Sequence, residues 1–348
     1  MAEQMTAAVL HKVDDVRIEQ VPVPEVKSDL DVKIRIKAVG VCGSDIHFYR
    51  EGRIGDFVVK EPIILGHESS GEVLEVGNAV THIKPGDNVV IEPGYPDRTC
   101  QFCKTGKYNL CATVPFMATP PTDGAFCQYV VWPGDFVYKV PDNVSFEEAS
   151  LVEPLAVGLQ ATKRAHIHPG MRVAIVGAGP IGLTTLLAAM AHGATTTFIS
   201  DIYPMRLGLA AKLGATHTIN AKDTDQVQAV LDVTHGEGCD VVLETAGTPE
   251  TVRKSMAMVK RGGVVTLVGM SAQVEFSVPM MDIIMREYDV RGVFRYANCH
   301  PVAVALLASG RIDVKPLITH EFPLAQAKEA LDFSDTRKDV AVKVIVKP

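Results

Sequence analysis

Three groups of residues in this 348-residue chain have the types and spacing to do chemistry. The first is Cys42-Gly43-Ser44-Asp45-Ile46-His47 with Gly66-His67-Glu68 and, further on, Glu153 in the segment LVEP. A thiol, an imidazole and carboxylates together suit a zinc ion that keeps one coordination position open. Such an ion is a Lewis acid, able to lower the pKa of a bound alcohol so that a hydride can leave. Singly, each residue is ordinary. A cysteine behind an apolar run is usually a small buried hydrophobe, and Glu153 can cap the helix expected after Pro154. Consecutive side chains of an extended strand point to opposite faces, so His67 and Glu68 reach one ion only if the backbone turns there. Without that turn, Glu153 is the ligand and Glu68 stands behind it.

The second group is Asp97, Cys100, Cys103 and Cys111, in PDRTCQFCKTGKYNLC. The spacing is that of a four-cysteine zinc knot with an aspartate in the first slot. Carboxylate oxygen is an acceptable zinc ligand, but three thiolates with one carboxylate are uncommon in closed structural sites. Three readings stand: a zinc held by Asp97 and the cysteines, a weak site often empty, or a lobe that packs without metal.

The third group is Gly177-Ala178-Gly179-Pro180-Ile181-Gly182, directly behind the apolar run Val173–Val176. Leu183, Leu186, Leu187 and Met190 follow at helical spacing. Strand, glycine turn and helix in that order let a backbone approach a pyrophosphate, which then faces the positive end of the helix. Asp201 closes the next apolar run about 20 residues on, the place for a carboxylate that binds ribose hydroxyls and repels a 2′-phosphate. NAD is therefore the expected cofactor. Arg206, one helical turn later, lines the adenine pocket or is simply a solvated helix-surface arginine.

These groups require particular elements around them. The first 150 residues contain short alternating runs (KIRIKAVGV, GEVLEVG, DNVVIEP, CQYVVWP) cut by Gly and Pro, the pattern of a β-barrel-like domain. From Met171 to Arg291, β-branched runs alternate with helical segments, which predicts an α/β domain with a doubly wound parallel sheet. The tail after Gly292 reads as a helix over 301–309 and then strands, folding back on the first domain. The expected division is 1–155 with 293–348 as one domain and 156–292 as the other. At this length two domains are the natural expectation.

Composition narrows the function classes. The net charge of −7, with no basic stripe, argues against a nucleic-acid partner. No uninterrupted apolar run is long enough to span a bilayer, and the start Met-Ala-Glu-Gln lacks a secretory pattern. Seven cysteines, three of them clustered, fit metal or free thiols in a reduced compartment rather than a disulfide framework. The expectation is a cytoplasmic protein.

The motifs GVCGSDIHFY, GRIGDF, GHESSGEVLEVG, GAFCQY, LVEPLAVG, GAGPIG and VFRYAN carry a resemblance over essentially the whole chain. It resembles the zinc-dependent medium-chain dehydrogenases, and among them the sorbitol and xylitol dehydrogenases. The resemblance implies a GroES-like catalytic domain interrupted by a Rossmann domain, and a homotetramer or homodimer. It implies that Cys42, His67 and Glu68 ligate a catalytic zinc, with Glu153 at the metal or its water. It implies a Ser44 hydrogen bond to the alcohol, with His47 either relaying the proton or standing as a structural histidine. Asp45 is expected to hold the loop together. Phe48 and Phe116 would form an apolar pocket wall, while Arg295 and Tyr296 meet the hydroxyls of a polyol; the ordinary alternative for Arg295 is a paired arginine at a domain interface. Two other readings compete: a butanediol or threonine dehydrogenase on the same scaffold, and a non-catalytic NAD-binding protein.

Overall fold

The computed structural model describes residues 3–348 apart from 272 and 274. The chain divides into two compact units: Pro154–Cys299, and the remainder up to Glu153 together with His300–Pro348. Residues 293–299 thus go with the inserted unit rather than with the tail.

The inserted unit is a six-stranded, wholly parallel sheet. Its strands lie in the order His217–Asn220, Thr196–Asp201, Arg172–Val176, Cys239–Glu244, Val259–Leu267, Asp289–Gly292. In chain order that is 3-2-1-4-5-6, the doubly wound arrangement, and it reverses beside Arg172–Val176. Ligands bind at the carboxyl ends of strands next to such a reversal, and the glycine turn follows Val176 there. The core is the inward face of these strands, with Val176, Phe198, Val242 and Val265 essentially buried. Strand Asp289–Gly292 is a sheet edge.

The other unit is built on antiparallel pairing. Strand Asp31–Gly40 is its centre, paired with Glu68–Val76 on one side and with the C-terminal strand Lys343–Lys347 on the other. The pairing places Glu68 opposite Gly40, and Ile345 opposite Gly40 across the other edge. A second sheet of Gln4–Lys12, Asp15–Pro22 and Ile63–Ile64 adds to it. The apolar core between them contains Leu10, Ile34, Tyr49, Leu65, Phe126 and Val344. The sequence did not announce the helices Gly43–Glu51 and Ala327–Thr336 of this unit. Both bury an apolar face, Phe48 and Tyr49 of the first and Ala330 and Leu331 of the second, and charge joins them: Arg50 of the first reaches Asp332 and Asp335 of the second, and Tyr49 donates to Asp332 at 2.9 Å.

A buried polar hub fixes the cysteine-rich lobe on this unit. Glu92, 1% exposed, accepts from the hydroxyls of Tyr108 and Tyr138 at 2.7 and 2.9 Å. Burial pushes its pKa up to about 7 against those two hydrogen bonds. Tyr108 belongs to the lobe, which a bidentate Arg98–Asp135 pair also anchors.

Candidate active site and metal centres

Cys42 caps the helix Gly43–Glu51 in extended conformation, at the end of strand Asp31–Gly40. Asp45, the third helical residue, is fully buried and accepts from the N–H of Cys42 at 2.9 Å. Its other oxygen accepts from the N–H of Gly66, also at 2.9 Å. One carboxylate therefore ties the cysteine loop to the loop that carries His67. Gly66 has φ 85°, a left-handed conformation that redirects the chain just before His67 and Glu68. His67 and Glu68, although neighbours in sequence, both bring a ligand atom to one point. Ligand atoms of Cys42, His67 and Glu68 all lie within 4.8 Å of one another.

The three donors fit a zinc ion: one thiol, one imidazole and one carboxylate, with His67 and Glu68 buried. The local field also favours a cation. Burial opposes charge on His67, yet Cys42, Asp45 and Glu153 together lift its pKa to about 10. Glu153 sits in the first turn of helix Val152–Ala165, 4% exposed. Its charge acts on His67, but it lies outside the three-residue set.

One buried residue here escaped the sequence reading. Lys343 is 1% exposed, and its ammonium donates to both oxygens of Glu68 at 2.7 and 2.5 Å and to the carbonyl of Val41 at 3.1 Å. Burial lowers its pKa, but Glu68 and Cys42 outweigh that and raise it. The only signal in the sequence was a lysine within the apolar run AVKVIVK.

The remaining expected site residues of this unit fall in different places. Ser44 is partly exposed on the first turn after Cys42. His47 is partly exposed, with Nδ1 3.0 Å from Glu51 of the same helix. Phe116 packs its ring beside His67, with centroids 5.5 Å apart. Phe48, expected in the pocket wall, is 2% exposed and packs among apolar neighbours on the inward face of helix Gly43–Glu51. Arg295 and Tyr296 belong to the inserted unit. Tyr296 is buried, and Arg295, at φ 51°, stacks its guanidinium over the ring of Phe294.

The glycine turn divides its labour. Gly177 has φ 99°, and a Cβ on Gly182 would stand 1.9 Å from the carbonyl oxygen of Gly177. Those two glycines serve the turn and the close approach of helix Pro180–Ala191 to the sheet. Gly179 is different. Among the described residues, apart from its chain neighbours, a Cβ there meets only the guanidinium of Arg206, at 3.8 Å. Pro180 and Ile181 open the helix, and Pro180 occupies the first position, where no N–H is needed. Asp201 accepts from the N–H of Ala178 at 2.7 Å, and from those of Ile202 and Tyr203 at 2.7 and 2.9 Å. Its carboxylate thus clamps the turn to the end of strand Thr196–Asp201 and keeps lone pairs for hydroxyl donors. Arg206 lies over the ring of Tyr203, 5.0 Å from its centroid, at the rim of the turn.

In the lobe, ligand atoms of Asp97, Cys100, Cys103 and Cys111 lie within 4.8 Å of one another. Asp97 accepts from the N–H groups of Cys100 and Thr99 at 2.9 and 2.7 Å, which holds its carboxyl well below the usual carboxylate range. Cys100 and Cys103 have their sulfurs 3.3 Å apart. The aspartate therefore stands where the missing cysteine would, aimed at the thiols by the backbone behind it. That donor set fits a zinc ion, with one oxygen in place of a sulfur.

Residues 28–142 match the model of the alcohol dehydrogenase GroES-like domain, and residues 180–309 match that of zinc-binding dehydrogenases. The chain is 44% identical to the sorbitol dehydrogenase of Bacillus subtilis over 99% of its own length and 98% of that protein. With the sorbitol dehydrogenase of Gallus gallus it shares 45% identity over 99% of its length and 96% of that protein. A crystal structure of an Escherichia coli oxidoreductase of unknown specificity superposes with TM-score 0.95 at 39% identity, covering 99% of both chains.

Proposed function

The chain belongs to the zinc-dependent medium-chain dehydrogenases, within their polyol group, and from that premise we propose that it oxidises a secondary hydroxyl of a sugar alcohol to a ketone, with NAD as acceptor. The observation that carries the reading is the convergence of Cys42 with the buried His67 and Glu68. A zinc ion bound there supplies Lewis acidity, which lowers the pKa of the reacting hydroxyl.

The chain's own groups do the rest. Cys42 and His67 hold the ion, joined by Glu68 or Glu153. Ser44, on the first turn after Cys42, hydrogen-bonds the reacting hydroxyl and takes its proton. His47, partly open to solvent, passes that proton on. NAD, when bound, would supply the two-electron acceptor for the hydride of the carbinol carbon, and the one proton left over would go to water through Ser44 and His47. Phe116, beside His67, excludes water from the reacting carbon. Arg295 and Tyr296 hydrogen-bond the remaining hydroxyls, the feature that separates a polyol from a simple alcohol. Gly179 leaves room for the pyrophosphate, and Asp201 selects NAD by accepting from ribose hydroxyls. Asp97 with the three cysteines holds a second, structural zinc.

The protein works as a homodimer or homotetramer in the cytoplasm. The exposed apolar residues Met280, Met281, Ile284 and Met285, between 59% and 70% exposed beside the sheet-edge strand Asp289–Gly292, support assembly through the inserted unit.

Initial rates of NADH formation on sorbitol, xylitol, ribitol, threonine, 2,3-butanediol and ethanol, with NADP as control, test the proposal. Rates concentrated on one or two sugar alcohols with NAD support it. Turnover of butanediol or threonine alone removes the roles of Arg295 and Tyr296, and no turnover by zinc-loaded protein removes the enzyme reading.

A further inference from the structure

Glu68 is held in an unusual way for a metal ligand. Its strand pairs with Asp31–Gly40, which pairs in turn with the C-terminal strand, so Glu68 and Lys343 meet across Gly40. Gly40 makes the meeting feasible: a Cβ there would stand 2.0 Å from Oε2 of Glu68. Both charged groups are essentially excluded from water, at side-chain exposures of 1% for Glu68 and 2% for Lys343. The ammonium spends its donors on both carboxylate oxygens and on the carbonyl of Val41. Yet the same carboxylate lies within 4.8 Å of the ligand atoms of Cys42 and His67.

We propose that Lys343 is a positioning residue that competes with the metal ion for Glu68, holding the carboxylate at the edge of the site so that a coordination position stays available to substrate. The inference rests on the reading that Cys42, His67 and Glu68 form the zinc site. The physical reason is charge balance in a dry environment. A buried carboxylate must have a counter-charge, and two are within reach: the ammonium and the ion. While Lys343 supplies two hydrogen bonds, Glu68 shares its charge and can swing between the partners. With the ammonium gone, the ion becomes the only cation available, and the carboxylate closes on it. Coulombic attraction at this range is strong in a poorly screened site.

The test reads metal release. Zinc content of wild type and Cys42→Ser identifies the ion held at Cys42, and its transfer to a chromogenic chelator gives a release rate. Lys343→Met should release that ion at least about ten-fold more slowly than wild type, with kcat falling by a similar factor, whereas Lys343→Arg restores both. In the Glu68→Gln background, Lys343→Met should change the release rate less than two-fold, because the lysine acts through the carboxylate. That double variant lacks both charges, so it stays measurable if Lys343→Met alone does not fold. Equal or faster release from Lys343→Met, or a large effect of the lysine in the Glu68→Gln background, overturns the proposal while leaving the zinc site intact. Wild type with no more zinc than Cys42→Ser overturns the zinc site itself, and the inference with it.

Discussion

At the scale of single residues, the site depends on side chains that never touch substrate. Asp45 shows this best. Its two oxygens accept from the N–H of Cys42 and of Gly66, 21 residues apart from Asp45 itself, and thereby set the distance between two ligand-bearing loops. Asp45→Ala leaves two N–H groups unsatisfied where water hardly reaches, which costs about 2–4 kcal/mol by ordinary values for buried hydrogen bonds. The expected outcome is a lower Tm together with loss of zinc from the Cys42 site, measured by thermal unfolding and metal analysis. Asp45→Asn keeps one acceptor oxygen and should fall between wild type and alanine in both. If Asp45→Ala holds zinc as wild type does, the two loops are set by something else.

At the scale of an element, the glycine turn separates folding from binding. Gly182→Ala places a methyl group 1.9 Å from the carbonyl oxygen of Gly177, so helix and strand must separate. Overpacking of this kind typically costs about 1–3 kcal/mol, and the variant should unfold at lower temperature whether or not NAD is present. Gly179→Ala meets no atom of the described residues beyond its chain neighbours nearer than 3.8 Å and should unfold like wild type without cofactor. Its methyl group stands in the space read as the pyrophosphate position, so NAD affinity should drop at least about ten-fold. Calorimetric titration with NAD and thermal unfolding of both variants check the contrast; unchanged affinity in Gly179→Ala would move the cofactor elsewhere.

At the scale of the molecule, the exposed apolar face of helix Met280–Arg286 requires an explanation, since four of its seven residues are large, apolar and more than half exposed. Solvated monomers rarely carry such a contiguous patch, and an unpaired strand edge beside it is itself a template for pairing. A second copy of the chain would cover both at once. Light scattering should give two or four times the 37.5 kDa of one chain. Introducing Ile284→Glu with Met285→Glu should at least halve that mass without changing the far-ultraviolet circular dichroism. A wild-type mass of one chain would remove the assembly from the proposal.

Much of this was legible in the sequence. The alternation of apolar runs and helical segments determined the parallel sheet, because periodicity is a local property of the chain. The glycine turn with Asp201, and the quartet Asp97, Cys100, Cys103 and Cys111, could be read because their members lie close together or at fixed spacing. Cys42, His67 and Glu68 were nameable by type, but whether they converged was not, since that depended on two loops distant in sequence being brought together. Phe48 was nameable from its position beside the motif, but its burial was decided by the packing of its helix. The pairing of Glu68 with Lys343 spans 275 residues of sequence, and the register of three strands across Gly40 creates it. Residue types and short spacings travel with the chain; which buried charge faces which is decided only when distant strands pair, because burial then forces each charge to find its partner.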